Sequence, residues 1–198
     1  MKHALSLASA AILGLSLAAP AMAAEEEYVF DRSHTQILFE YDHLGFSITQ
    51  GTFTEWEGVL VIDADNPAAS RVEVTIQAAS LSTGFADRDA HLRSADFFET
   101  DTYPTATFVS SHVEQTGENT LAVTGDLTIR GETREVTLDV VVNAHGPHPM
   151  SGQTTLGFTA TTTVSRSDFG LGLYAPAVGD AVTIRISGEA IRKSDVEA

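Results

Sequence analysis

An all-β fold, an antiparallel barrel of about eight strands with one short helix, is what three features of the sequence predict. Apolar and polar residues alternate along most of the chain; the gaps between alternating runs are short and carry Gly, Asn, Asp or Pro; and only Ser80 to Phe108 interrupts the pattern, with charges and aromatic rings. Alternation with a period of two gives each strand one dry face, the signature of antiparallel sheet. Short turns make consecutive strands neighbours, and a long meander loses its open edges most simply by closing on itself. A two-sheet sandwich is the alternative.

The chain begins with a stretch that reads as a secretory signal: Lys2 supplies the basic start, Ala8 to Ala19 is almost wholly apolar, and Ala21-Met22-Ala23 fits a small-x-small cleavage site. Residues 1–23 are therefore expected to be removed, leaving one domain over 24–198. No later run approaches the roughly 20 apolar residues of a spanning helix, so no stable membrane insertion is expected. The absence of cysteine removes disulfides, thiolate chemistry and an N-terminal lipid anchor from consideration.

Ile37, Phe39 and Tyr41 open the inward-facing series. Between Thr52 and Ile62 the phase slips, since Phe53 and Trp56 are three apart and Leu60 and Ile62 two apart, which predicts a bulge near Glu55. The following strands place Val72, Val74, Ile76 and Ala78 inward, then Leu121, Val123, Leu127 and Ile129, then Val136, Leu138, Val140 and Val142. Leu156, Phe158, Ala160 and Val164 follow, and Val182, Ile184 and Ile186 close the series. Turns are expected at Asp63 to Pro67, Thr116 to Asn119, Arg130 to Thr133 and Ala144 to Gly152.

The interrupting segment predicts a helix over about 87–99, with Asp87 as the cap ahead of Arg88. Tyr103-Pro104 then returns the chain to extended geometry. Such a long insertion between barrel strands is expected to act as a plug or lid. Arg88, Asp89 and Arg93 suggest an ion-pair cluster tying the helix to the barrel end, or a polar clamp on a ligand headgroup; Arg166, with its planar fork of donors, fits either role.

Composition narrows the chemistry. A formal charge of −16 disfavours nucleic acid and anionic membrane surfaces. The histidines show no metal-ligand spacing, no GxSxG elbow is present, and Gly170-Leu171-Gly172 lacks the third glycine of a dinucleotide fingerprint. No metal and no cofactor is expected. An eight-stranded barrel with Val, Ile, Leu, Ala and a few Phe inward, and with Gly125 and Gly157 near the walls, either fills itself or holds one elongated apolar ligand.

Ordered motifs then carry a resemblance. Asp31-Arg32-Ser33-His34 precedes Phe39, His43 and Gly51-Thr52-Phe53; Ser80-Leu81-Ser82-Thr83, Arg88-Asp89-Ala90-His91-Leu92 and Asp96-Phe97-Phe98 occupy the middle. Tyr103 to Phe108, Gly125 to Gly131 and Arg166-Ser167-Asp168-Phe169-Gly170 follow in order. From about Tyr28 to Ile191 the chain resembles the YceI-like family of exported polyisoprenoid-binding proteins. The resemblance implies a lipocalin-like barrel with a helix, an apolar tunnel for an isoprenoid chain such as that of a quinone, and a periplasmic or secreted location; it raises the chance of a homodimer, while the strands offer no decisive exposed apolar stripe and leave the oligomeric state open. It carries no catalytic residue.

The expected ligand-binding residues are Phe39, His43, Phe53, Arg88, Asp89, His91, Phe97, Phe98, Phe108, Leu127, Phe158, Arg166 and Phe169. The function expected is binding of a long-chain isoprenoid or similar lipid for transport, storage or sequestration. Two alternatives stand beside it: an enzyme on a lipophilic substrate using His43 or His91 as acid or base, and a stress-related structural protein whose barrel is filled.

Overall fold

The computed structural model describes residues 25–197, and the expected leader over 1–23 lies outside them. Alternating sequence becomes strand almost wherever it occurs. β1 (Glu26–Phe30) and β2 (Gln36–His43) are two halves of one ribbon, β3 (Ser47–Phe53) and β4 (Trp56–Ile62) of the next, and β5 (Arg71–Gln77) and β6 (Leu81–Ser82) of the third. β7 (Thr105–Gln115), β8 (Thr120–Ile129), β9 (Glu132–Pro147), β10 (Thr154–Ser165) and β11 (Val178–Arg192) complete the wall. The order β1-β4-β5-β7-β8-β9-β10-β11 closes through antiparallel pairing of β1 with β11, giving the expected eight-stranded barrel rather than a sandwich.

Each ribbon is kinked where the ladder needs a substitute. Between β1 and β2 Glu189 O accepts from Asp31 N at 2.9 Å and from the Thr35 hydroxyl at 3.1 Å, and that hydroxyl accepts from Glu189 N at 3.1 Å in place of a main-chain carbonyl. The second and third ribbons bend together. Gln77 N donates to Glu55 O at 2.9 Å, and Glu55 N to Ser80 Oγ at 3.0 Å. The phase slip after Phe53 is therefore a break between β3 and β4 rather than the bulge expected at Glu55. A bulge does occur in β7, between Ser110 and His112, opposite Gly125. A Cβ on Gly125 would lie 2.4 Å from Val109 O, so that gap in the wall is occupied by the bulged strand.

Chain direction puts the 44–46 turn, residues 83–104, the 130–131 turn and residues 166–177 at one end of the barrel, here the helix end. The start of β1, the end of β11 and the 63–70, 116–119 and 148–153 connections lie at the other. Arg130 and Gly131 form a two-residue hairpin with φ of 50° and 75°, the left-handed pair that matches strand twist.

The helix is shorter than predicted. α1 spans Ala86–Arg93, its N-cap is Phe85 without a side-chain capping bond, and Asp87 sits in the first turn. Ser94 ends it by turning extended, with its hydroxyl donating to His91 O at 2.7 Å. The predicted residues up to Glu99 are irregular turns. A second short helix, α2 (Lys193–Val196), follows the last strand.

Candidate ligand-binding site

The barrel is hollow. A cavity of about 720 Å³ runs along its interior, within the 300–1,000 Å³ usual for ligand pockets. Its walls are the inward residues of the alternating strands, including all of the predicted inward positions on β8, β9 and β11. Val72, Val74, Ile76, Leu138, Val140, Val182 and Ile184 face inward yet remain only half-buried. In a filled barrel these aliphatic side chains would be covered by one another.

At the helix end the cavity is lined by aromatic rings. Phe39 lies across Gly51, where a Cβ would fall 2.3 Å from its ring, so glycine there lets the ring lie flat on the wall. Phe39 meets Phe53 at 5.5 Å between centroids, and Phe53 meets Phe98 edge-on at 6.0 Å. His91 stands edge-on to Phe97 at 5.0 Å, and Tyr174 completes the group at 6.4 Å from both. Phe97 and Phe98 pack against the main core cluster of Phe108, Val123, Leu127, Val164 and Phe169.

The plug is held by charged side chains bonded to backbone rather than to one another. Arg93 donates to Ala79 O at 2.8 Å and Leu81 O at 2.6 Å; Arg88 donates to Thr83 Oγ1 at 2.7 Å and Thr83 O at 2.9 Å. Asp89 accepts from Thr83 N at 2.8 Å and Thr83 Oγ1 at 2.5 Å. The expected ion-pair cluster is thus replaced by three separate ties to 79–83. Asp89 is 7 % exposed and does not reach the cavity, contrary to its expected place among the ligand contacts. Burial pushes its carboxyl up, but the Thr83 bonds and the nearby Arg93 and Arg88 lower it further, below the usual carboxylate range.

Arg166 is buried and spends its fork on main-chain carbonyls: Nε on Gly179 O at 2.8 Å, Nη1 on Leu171 O and on Leu173 O at 3.0 Å, and Nη2 on Val178 O at 2.9 Å. Desolvation lowers its pKa, with Asp180 opposing. It touches the cavity wall as a clamp on the 171–179 loop, not as an open headgroup site. Arg130, marked in the sequence only as a turn and motif residue, joins the plug to the start of that loop through Gly170 O at 2.7 Å and Ala95 O at 2.8 Å. It also pairs with Glu99 at 3.1 Å.

Of the other expected contacts, Phe39, His43, Phe53, Arg88, His91, Phe97, Phe98, Phe108, Leu127, Phe158 and Phe169 all line the cavity. Sequence reasoning missed Tyr174, which lies in a loop with no period to read, and Thr162, a polar residue in an otherwise apolar inward series. It also missed the polar rim at the opposite end, where Arg71, Gln115, Asn119 and Thr120 meet the cavity. Turn composition had marked that region only as a connection.

Among the described residues the histidines do not assemble a nucleophilic relay. His91 Nε2 meets Asp96 at 3.2 Å on the surface. Ser33, His34 and Asp31 have the composition of a triad, but Ser33 Oγ and Asp31 both address His34 Nδ1, at 3.1 and 2.8 Å, so no hydroxyl is aligned on Nε2. Bonds from His34 and Ser33 pull Asp31 down to about 2, and Asp31 raises His34. With Glu189 these side chains bring three ligand-type atoms within 4.8 Å of one another, outside the barrel cavity.

A closed antiparallel barrel with a hollow, largely apolar interior defines a lipocalin-type barrel. The chain belongs to the YceI-like domain family, whose model matches residues 28–190. It is 39 % identical over 190 residues to a UPF0312 protein of Pseudomonas savastanoi pv. phaseolicola, covering 95 % of this chain and 97 % of the relative. Burkholderia cenocepacia BcnA superposes with a TM-score of 0.74 at 28 % identity, over 81 % of this chain and 98 % of that one. A polyisoprenoid binding domain from Saccharophagus degradans shares the fold, with a TM-score of 0.60 at 15 % identity over 83 % and 98 % of the two chains. Among the described residues no helix is long and apolar enough to cross a membrane.

Proposed function

We propose that this protein is an exported carrier that holds one long-chain isoprenoid or similar lipid, for example an isoprenoid quinone, in the barrel cavity. The observation that carries the reading is the hollow interior: inward aliphatic side chains stay half-buried around about 720 Å³ of space. Tail burial supplies the driving force, at roughly 0.8 kcal/mol per buried CH₂ before ordering costs are subtracted. The binding named for the Saccharophagus domain supports the same ligand class, and the leader-like residues 1–23 support a periplasmic or secreted site of action.

The tail occupies the aliphatic middle, and a headgroup at the helix end meets His91 and the part of Arg88 not committed to Thr83. Binding without turnover is the activity proposed, and the lipid is released unchanged to an acceptor. The test is to mix the purified protein with a polyprenyl quinone in detergent micelles, isolate it by gel filtration and measure quinone absorbance. About one quinone per chain is expected; protein that emerges without quinone contradicts the proposal.

A further inference from the structure

The helix end of the barrel carries an unusual surface. Phe46 is 90 % exposed at the β2–β3 turn, Phe85 57 % at the start of α1, and Tyr174 56 % in the loop before β11. They are the three exposed phenylalanine and tyrosine side chains among the described residues, and all three stand at this end. Leu44, Ile48 and Leu173 extend the same surface. The other exposed large apolar side chains are valines on the outer wall or lie at the far end, and none of them is aromatic.

These residues come from three separate connections that the fold brings together. Val178 pairs with His43, setting the 170s loop beside the β2–β3 hairpin, and the Tyr174 ring packs toward His91 on α1. His43, Ser47, His91 and Tyr174 are at once cavity-lining and exposed. The apolar rim therefore surrounds a mouth of the cavity.

Charge selects what the rim meets. Arg88, Arg93, Arg130 and Arg166 all turn to backbone carbonyls or side chains within the plug and loop. Asp87, Asp96 and Asp168 remain exposed around the mouth, and the whole chain carries −16. An acidic rim is repelled by anionic lipid and by a second copy of itself, while aromatic side chains favour the headgroup level of a bilayer.

We propose that the Phe46–Phe85–Tyr174 rim inserts shallowly into the surface of a neutral, zwitterionic bilayer, so that the cavity mouth opens onto the membrane that supplies or receives its lipid. This rests on the lipid-binding reading above. The apolar side chains enter the interface, and no basic patch contributes to the attraction.

Flotation of the purified protein with phosphatidylcholine vesicles tests it. The wild type is expected to float, a double variant Phe46→Ser with Phe85→Ser to partition about tenfold less or weaker still, and Met150→Ser, exposed at the opposite end, to match the wild type. Adding phosphatidylglycerol is expected to weaken flotation. In a second variant, Phe46→Trp, indole emission is expected to shift to the blue on mixing with phosphatidylcholine, which reports insertion by a folded protein. A wild type that stays at the bottom of the gradient, or a double variant that floats equally well, overturns the proposal. So does wild-type self-association without vesicles that Phe46→Ser abolishes. Quinone loading from micelles separates the two readings: retained loading without flotation removes only the membrane contact, and lost loading removes the lipid-binding reading beneath it.

Discussion

Replacing Val140 with phenylalanine separates a hollow barrel from a filled one. Val140 points inward from the middle of β9, pairs with Leu121 and Ala160, and is half-buried on the cavity wall. The ring adds four carbons that project into open space, so the fold should tolerate it, with a change in stability below about 1 kcal/mol. The same ring obstructs the passage along which a lipid tail lies. Excluding one five-carbon isoprene unit forfeits about 4 kcal/mol at ~0.8 kcal/mol per carbon, and partial rearrangement of the tail brings this to roughly 2–4 kcal/mol. That is a loss of about 30- to 1,000-fold in affinity, measured by quinone titration, with thermal unfolding as the control. The opposite pair of results refutes the reasoning. In a filled core Val140→Phe overpacks, costing about 1–3 kcal/mol and lowering Tm by on the order of 2–10 °C, while quinone binding is unchanged.

Three further outcomes follow from particular contacts. Arg166→Met strands four backbone carbonyls at the base of the 171–179 loop and should lower stability by about 3–5 kcal/mol in urea unfolding, with Arg166→Lys recovering little because one ammonium cannot reach all four. Phe98→Ala removes the edge-on contact with Phe53 and opens the helix end, so quinone dissociation followed by stopped flow should quicken about tenfold or more. The Asp31–His34 pair sets a pH window: the depressed carboxyl contributes stability above about 4 that is lost as pH falls toward 2, and the raised imidazole contributes below about 6.5 and loses it as pH rises beyond. Asp31→Asn should flatten the stability profile on both sides of that window, as read by unfolding at pH 2.5, 5 and 8; a profile unchanged from wild type contradicts the pairing.

The barrel was legible because its information is periodic. Val136, Leu138, Val140 and Val142 alternate without a break, and a one-residue slip would have turned the whole strand inside out. Hollowness was not legible. The same Val, Ile and Leu line a dry core or a tunnel, and the difference lies in barrel diameter rather than in any residue. The polar positions were least legible. Asp89 bonds Thr83, six residues back across the start of α1, and Arg166 bonds carbonyls of a loop; a backbone acceptor leaves no mark in the sequence, so charged neighbours such as Arg88 and Arg93 appeared the natural partners. The helix ended early for a similar local reason, since Ser94 turns its hydroxyl back onto His91 O.

Native mass spectrometry of the protein purified without detergent tests the central claim most directly. The account predicts a chain carrying one bound lipid, released on gentle activation and identified on extraction as a long isoprenoid or comparable apolar chain. A chain that flies empty, and stays empty after incubation with polyprenyl quinone, contradicts it.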